Sequence, residues 1–440
     1  KNLSPTAILR IALPATSLLP PFVDWPKDIR NAIGGYTYLV PGGHEFDGSE
    51  ITPFDDNAVR KAARNMLRKG VSALAISGVF SPVNPLHEKR AAAIISQEAP
   101  DIRLSLSHEI GRLGLLEREN AAAYNACLLE TAERTINSIR TALLSLGLQA
   151  PLYLSQNDGT LMDVAYGERF PVLAISSGPT NSMRGAAFLS GIENGIVVDI
   201  GGTSTDVGAL VNGFPREASI AVNLAGVRTN FRMPDVLSIA LGGGSVIKQN
   251  PLTIGPSSVG FTLAHEALVF GGNTLTSTDI AVAGSFADIG DKSLVQSLET
   301  SLVTDAVVEM RTRIETAIDQ MKLDANPVPV ILVGGGNILV GDKLEGASQV
   351  IRPKQAEVAN AIGAAIAQVG GEVEKVYALD GTNRLTLLEE AKAEATTRAV
   401  TAGADPNTIN VVEIEEIPLT YLPSNAVRIR VKVVGDLAGM

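Results

Sequence analysis

The segment Ile196-Val-Val-Asp-Ile-Gly-Gly-Thr-Ser-Thr-Asp-Val-Gly208 constrains the fold more than any other stretch of the chain. Its apolar run reads as a buried strand that delivers Asp199 to its end. Gly201 and Gly202 then turn the chain with no Cβ in the way, and a second strand leads off from Thr205. Thr203 and Thr205 offer hydroxyls and backbone amides, with Asp206 just behind. Such a turn suits anionic phosphates: glycine permits close backbone approach, hydroxyls donate, and the carboxylates of Asp199 and Asp206 can orient a hydrated Mg²⁺. An ordinary hairpin with a polar turn is the plainer alternative. Two acids, two glycines and two threonines at this spacing weigh against it.

A second glycine-rich turn lies downstream, in Ile331-Leu-Val-Gly-Gly-Gly-Asn337. Glycines at the carboxyl end of a strand let a helix or a ligand come close, so Gly334, Gly335 and Gly336 are candidate nucleotide-binding positions. A lone glycine triplet is weak by itself. Two such turns in this order are worth more than either alone.

Composition narrows the class. The 440 residues exceed one hydrophobic core and predict two or three domains. Aromatic residues are only 4% while glycine numbers 42, which favours α/β layers over an all-β sandwich. Strand and helix patterns alternate, and three domains are expected, over 1–150, 151–370 and 371–440. A 31-residue-scale apolar stripe over 116–146 predicts a long helix, stopped by Gly147 in a left-handed cap. Another helix is expected over 177–190, and a further one over 355–368.

A net charge of −11 without a basic run argues against a nucleic-acid partner. Backbone amides can still hold a small anion whatever the global charge. The single cysteine, Cys127, builds neither a disulfide framework nor a thiolate metal site and fits a reducing, cytoplasmic setting. No apolar run is long enough for a bilayer.

Other polar residues carry weaker signals. Asp158, in Gln156-Asn157-Asp158-Gly159-Thr160, is a proton acceptor or positions a water, or else it closes an Asx-type turn; both readings stand. The four histidines, His44, His87, His108 and His265, share no metal-ligand spacing. His108 with Glu109 is the most suggestive, although packing at a helix start explains it more simply. Thr276, Thr278 and Asp279 read as a helix cap. Arg184, Arg228 and Arg232 bind an anion or form structural ion pairs.

The order of the two glycine turns resembles the actin/Hsp70/sugar-kinase superfamily. Closer matches are Ser176-Ser-Gly-Pro-Thr-Asn-Ser182, Leu241-Gly-Gly-Gly-Ser245, Gly271-Gly-Asn-Thr-Leu-Thr-Ser-Thr-Asp279 and Pro353–Ala365. Together with the Asp199–Asp206 hairpin they look like hydantoinase A/5-oxoprolinase proteins over nearly the whole chain. The resemblance implies an RNase-H-like two-domain architecture with an extra small C-terminal α/β domain. It also implies ATP and Mg²⁺ as cofactors, and Asp158 where sugar kinases of the superfamily place a base facing the γ-phosphate. The activity implied is ATP-dependent hydrolysis of a cyclic amide (hydantoin, 5-oxoproline or a related lactam) through carbonyl phosphorylation. A B-type partner subunit and an oligomeric assembly are expected with it. The ATP-binding subunit of a related ketone carboxylase, a small-molecule kinase, and a non-catalytic nucleotide-binding assembly module are the alternatives. One departure stands out: such proteins carry a first Asp-Gly-Gly-Thr hairpin that residues 1–60 do not contain. A fragment, or a hairpin on another polypeptide, would account for it.

Overall fold

The computed structural model describes residues 3–218, 222–377, 383–419 and 426–438. The first sheet comprises β1 (Thr6–Leu13), β2 (Tyr36–Pro41), β3 (Ala73–Gly78) and β4 (Arg103–Leu106), in the order β2-β1-β3-β4. All its pairings are parallel. Helices therefore cover both faces, and β1 and β3 are buried along almost their whole length. Pleating sorts the side chains. Ala7, Leu9 and Ile11 face α1 (Asp56–Arg68) and α2 (Leu86–Glu98), and Ile8 faces α3 (Leu115–Ser145). The Asp55 carboxylate accepts from the Ala58 amide and caps α1. The small residues Ala121, Ala122, Ala123, Ala126 and Cys127 of α3 are buried in one core with Ile8, Ala73 and Ala75 of the sheet, which permits close contact. Gly147, at φ +72°, ends the helix as expected.

Two short strands follow, β5 (Tyr153–Ser155) and β6 (Leu161–Asp163), then α4 (Ser177–Ser190). The second sheet is built from β7 (Gly195–Ile200), β8 (Thr205–Val211), β9 (Val236–Ile239), β10 (Val328–Val333) and β11 (Ala347–Ile351). Its order is β9-β8-β7-β10-β11, and a short strand, Phe214–Pro215, pairs with β8. The β7-β8-β9 pairings are antiparallel, whereas β7-β10 and β10-β11 are parallel. Helices α5 (Ser277–Ala283) and α6 (Thr300–Met321) cover one face, over Val198, Ile200, Val330 and Leu332. The other face, with Val197, Ile331 and Val333, packs on α4 and on α7 (Ala359–Ala365).

Helices α4 and α7 cross backbone to backbone. A methyl on Gly185 would lie 1.9 Å from the Ala359 carbonyl oxygen, and one on Gly363 would lie 1.8 Å from that of Asn181. Only glycine fits at either position.

The C-terminal strands β12 (Val369–Tyr377), β13 (Asn410–Pro418) and β14 (Val427–Gly435) form a third sheet in the order β13-β14-β12-β6-β5. Helix α8 (Arg384–Thr401) lays Ala391, Ala395 and Ala399 against it. The tail thus recruits residues 153–163 from before the Asp-Gly-Gly-Thr hairpin.

The helix expected over 355–368 is shorter. Gln355 has φ +64° and residues 356–358 form a 3-10 turn, so α7 covers only Ala359–Ala365 before β12 begins. Two β pairs have no counterpart in the sequence analysis: Val222–Leu224 with Val227–Thr229, and Ser245–Gln249 with Leu252–Ser258. Among the described residues no helix is long and apolar enough to cross a membrane.

Candidate nucleotide-binding site

The β7-β8 register sets Asp199 directly opposite Asp206, on one face of the hairpin. Parallel pairing of β10 with β7 sets Val333 against Asp199, so the triple-glycine turn begins beside that carboxylate. Two remote glycine clusters then close on the hairpin turn. The Gly336 amide donates to the Ile200 carbonyl at 2.7 Å. The Gly243 and Gly244 amides donate to the Gly201 and Gly202 carbonyls at 2.9 and 2.7 Å. A methyl on Gly242 would meet the Thr203 nitrogen at 2.6 Å, which explains the absence of a side chain there.

The turn's carbonyls are thus occupied while its amides are not. The Gly202 and Thr203 N–H groups donate to no acceptor among the described residues. Both residues are exposed, and neither Gly202 nor Gly335 has any atom within 4 Å of an added Cβ. Unpaired amides beside open space are what an anion's oxygens need. Thr205 plays another part: it is buried, and its hydroxyl donates to the Leu241 carbonyl at 2.6 Å, tying the hairpin to the 242–244 turn.

The electrostatics of the acid pair point the same way. Burial raises the pKa of Asp199, the Ser182 hydroxyl counters part of that, and Asp206 raises it further. Burial also raises Asp206, against a hydrogen bond donated by Ser238. Neither carboxylate has a cationic side chain as partner among the described residues. Groups of three or more potential protein ligands for a metal are likewise absent among them. Two carboxylates and several waters are the usual holding set for Mg²⁺. Asp199, Asp206 and the open amides therefore fit a hydrated Mg²⁺ and a polyphosphate.

Asp158 sits apart from this pair. Its Oδ1 accepts from the Thr160 amide at 3.0 Å and the Thr160 hydroxyl at 2.6 Å. Its Oδ2 faces the Arg232 guanidinium at 3.0 Å and the Lys432 ammonium at 2.9 Å. Burial alone would raise its pKa, but the Arg232 and Lys432 charges outweigh burial and hold it well below the carboxylate range. Such a carboxylate is a weak proton acceptor. The network extends through Glu217, Glu372 and Arg430, joining the loop after β5 to the second and third sheets.

The other candidates fall into place around these. Arg184 stacks on Phe214 and donates to the Gly213 carbonyl; Arg228 pairs with Glu117 on the surface. Thr276 and Asp279 form a reciprocal capping box for α5. Ser182 and Ser238, which temper the two acids, were not singled out from sequence, because a lone serine carries no signal before the strands are paired.

The family model described as "Hydantoinase/oxoprolinase" matches residues 118–286, and that described as "Hydantoinase/oxoprolinase N-terminal region" matches residues 10–99. The chain is 33% identical over 272 residues to the caprolactamase subunit alpha of Pseudomonas jessenii, covering 60% of this chain and 38% of that protein. It is 28% identical over 249 residues to the acetophenone carboxylase gamma subunit of Aromatoleum aromaticum, covering 53% and 34%. The matches thus span well under half the length of these curated relatives. Among solved structures, the ATP-dependent caprolactamase from Pseudomonas jessenii superposes with a TM-score of 0.75 at 20% identity, covering 99% of this chain and 77% of that one. A nucleotide-free acetone carboxylase structure gives 0.68 at 16% identity, covering 99% and 76%. With the sheet orders above, these likenesses establish the fold: an actin/Hsp70/sugar-kinase type of α/β architecture with an added C-terminal α/β unit.

Proposed function

Since the chain belongs to the hydantoinase/oxoprolinase family, we propose that it binds ATP at the Asp199–Asp206 hairpin and supports ATP-dependent hydrolysis of a cyclic amide. The observation that carries this is the acid pair without a cationic partner, set beside the unpaired Gly202 and Thr203 amides and the Gly334–Gly336 turn.

In this proposal the Gly202 and Thr203 amides and the Thr203 hydroxyl hold phosphate oxygens, and Gly335 leaves room for the adenosine end. Asp199 and Asp206 orient a hydrated Mg²⁺, while Ser182 and Ser238 fix the rotamers of the two carboxylates. ATP, with Mg²⁺ offsetting its charge, would supply the phosphoryl group that activates an unstrained amide carbonyl. Asp158 stays ionised and anchors the junction of the sheets. A cyclic amide as substrate and a B-type subunit as partner follow from family membership and from the multisubunit names of the relatives.

A test combines calorimetric titration of MgATP with assays of ring opening on hydantoin, 5-oxoproline and caprolactam, with and without a B-type partner. Tight MgATP binding that disappears in Asp199→Asn, with a ring-opened acid as product, is the expected outcome. A stable phosphorylated product would identify a kinase instead, and ketone-dependent ATP turnover a carboxylase subunit, as the likeness to acetophenone carboxylase suggests. No nucleotide binding by the full assembly would end the proposal.

A further inference from the structure

Three of the chain's four histidines gather at the carboxyl end of the first sheet. There the connections reverse direction, β1 leading to β2 on one side and β3 to β4 on the other. In open parallel sheets the strand ends at such a reversal form a ligand crevice. Glu88, at the start of α2, is fully buried at that place. Its Oε1 accepts from the Gly78 amide at 2.9 Å and the Ser107 hydroxyl at 2.6 Å. Its Oε2 accepts from the His108 amide at 3.1 Å and lies 2.6 Å from His108 Nδ1.

Burial would raise the pKa of Glu88, but His108 and Arg118 lower it on balance, so the carboxylate accepts and Nδ1–H donates. With Nδ1 held against Glu88, Nε2 is the outer ring nitrogen; it has no partner among the described residues and is not sealed from solvent. Arg118, also fully buried, locks the arrangement by donating from Nε to the Ser107 hydroxyl at 2.9 Å. A buried carboxylate and a buried guanidinium carry a desolvation cost that an apolar strand end would avoid. They hold one imidazole in one orientation with its outer nitrogen free. His87 differs in having both ring nitrogens engaged, by the Gly43 amide and by Glu50.

We infer that His108 is a proton-transfer residue of a second site, at the carboxyl end of the first sheet, which takes a small neutral amide. Glu88 is its positioning residue. The amide as ligand rests on the function proposed above. In the step assigned to His108, water attacks the phosphate-activated carbonyl carbon and a new C–O bond forms. The carbon–nitrogen π pair moves onto nitrogen, and the water's proton passes to Nε2.

The test uses the full chain with whatever partner subunit it requires. Diethyl pyrocarbonate labelling, read peptide by peptide, should modify His108 faster than His44 or His87, which are only 2% and 4% exposed. Saturating cyclic amide should slow His108 labelling at least about fivefold, the protection expected when a bound ligand covers the outer nitrogen. His108→Asn should cut amide-dependent turnover about 100-fold or more while nucleotide affinity stays within about twofold, the range typical for losing one acid–base group. Glu88→Gln should lower turnover and also slow labelling, which a purely packing role would not do. Turnover of His108→Asn within about threefold of wild type would overturn the inference; so would labelling that no cyclic amide protects. Because labelling needs no nucleotide, failure here is distinct from failure of MgATP to bind at Asp199.

Discussion

Gly334 lies so close to Asp199 that a methyl on it would come within 2.3 Å of the Asp199 Oδ1 atom. The same methyl would meet the Ile200 carbonyl oxygen at 2.4 Å, and Gly334 has φ +81°, a conformation unfavourable to other residues. The glycine corner and the acid hairpin are therefore one unit, fitted at the backbone.

Gly334→Ala should accordingly destabilise the protein by about 1–3 kcal/mol from backbone strain alone, and weaken MgATP binding as Asp199 is displaced. Gly335→Ala is the control. Nothing lies within 4 Å of its added Cβ, so its effect on stability should stay within about 0.5 kcal/mol. Urea denaturation of both variants decides the point; equal losses would contradict the fitted corner.

Asp199→Asn should stabilise the ligand-free protein at neutral pH. The folded-state pKa of Asp199 is raised, by burial and by Asp206, so folding disfavours its charged form. For a raised carboxyl, the stabilising contribution is complete below the ordinary carboxylate pKa and lost as pH rises through the folded value. The advantage of the asparagine should therefore appear across that rise and vanish in acid. Chemical denaturation at mildly acidic and neutral pH measures it, and an unchanged difference would refute the assignment. The same variant should lose MgATP binding, which exchanges stability for function in the usual direction.

Asp158 behaves in the opposite sense. Its folded pKa is depressed by Arg232 and Lys432, so its contribution is present above the ordinary carboxylate pKa and disappears only as pH falls through the depressed value. Asp158→Asn removes one of the carboxylates shared by Arg232 and Lys432, which keep Glu217 and Glu372 nearby, and should cost about 3 kcal/mol. If stability is instead unchanged while turnover collapses, Asp158 is the proton acceptor after all.

Cys127 is buried and its thiol is pushed up to about 12 by burial. Native protein should not react with a neutral-pH disulfide reagent, and labelling should track global unfolding in urea. Fast labelling of the folded chain would show that α3 lifts from the first sheet.

Much of this was legible in the sequence where the signal is local. The run into Asp199, the two glycines and the alternating threonines define strand, turn and strand without any tertiary knowledge. Gly147 and the Thr276–Asp279 cap were equally readable. What could not be read was pairing between distant segments. Nothing in the Gly242–Gly244 stretch says that its amides fill the carbonyls of Gly201 and Gly202. From sequence alone His108 reads as a packing residue, because its partner, Glu88, lies on another helix. Asp158 was open between base and turn because Arg232 and Lys432 arrive from far along the chain. An alanine-rich pattern over 355–368 does not reveal the left-handed residue at Gln355, so the helix is shorter than its composition implies.

The partnership of β7 with β10 has a consequence for biosynthesis. Asp199 leaves the ribosome long before Val333, its neighbour in the sheet. The acidic turn must therefore wait, unsupported on that side, while all of the intervening segment is made. Such long-range pairing is slow and leaves strand edges open in the meantime. Truncated or stalled chains ending before residue 328 should thus be the species that chaperones hold and proteases remove. Mutations that weaken the β10 edge should lower the yield of protein in cells more than the stability of what survives.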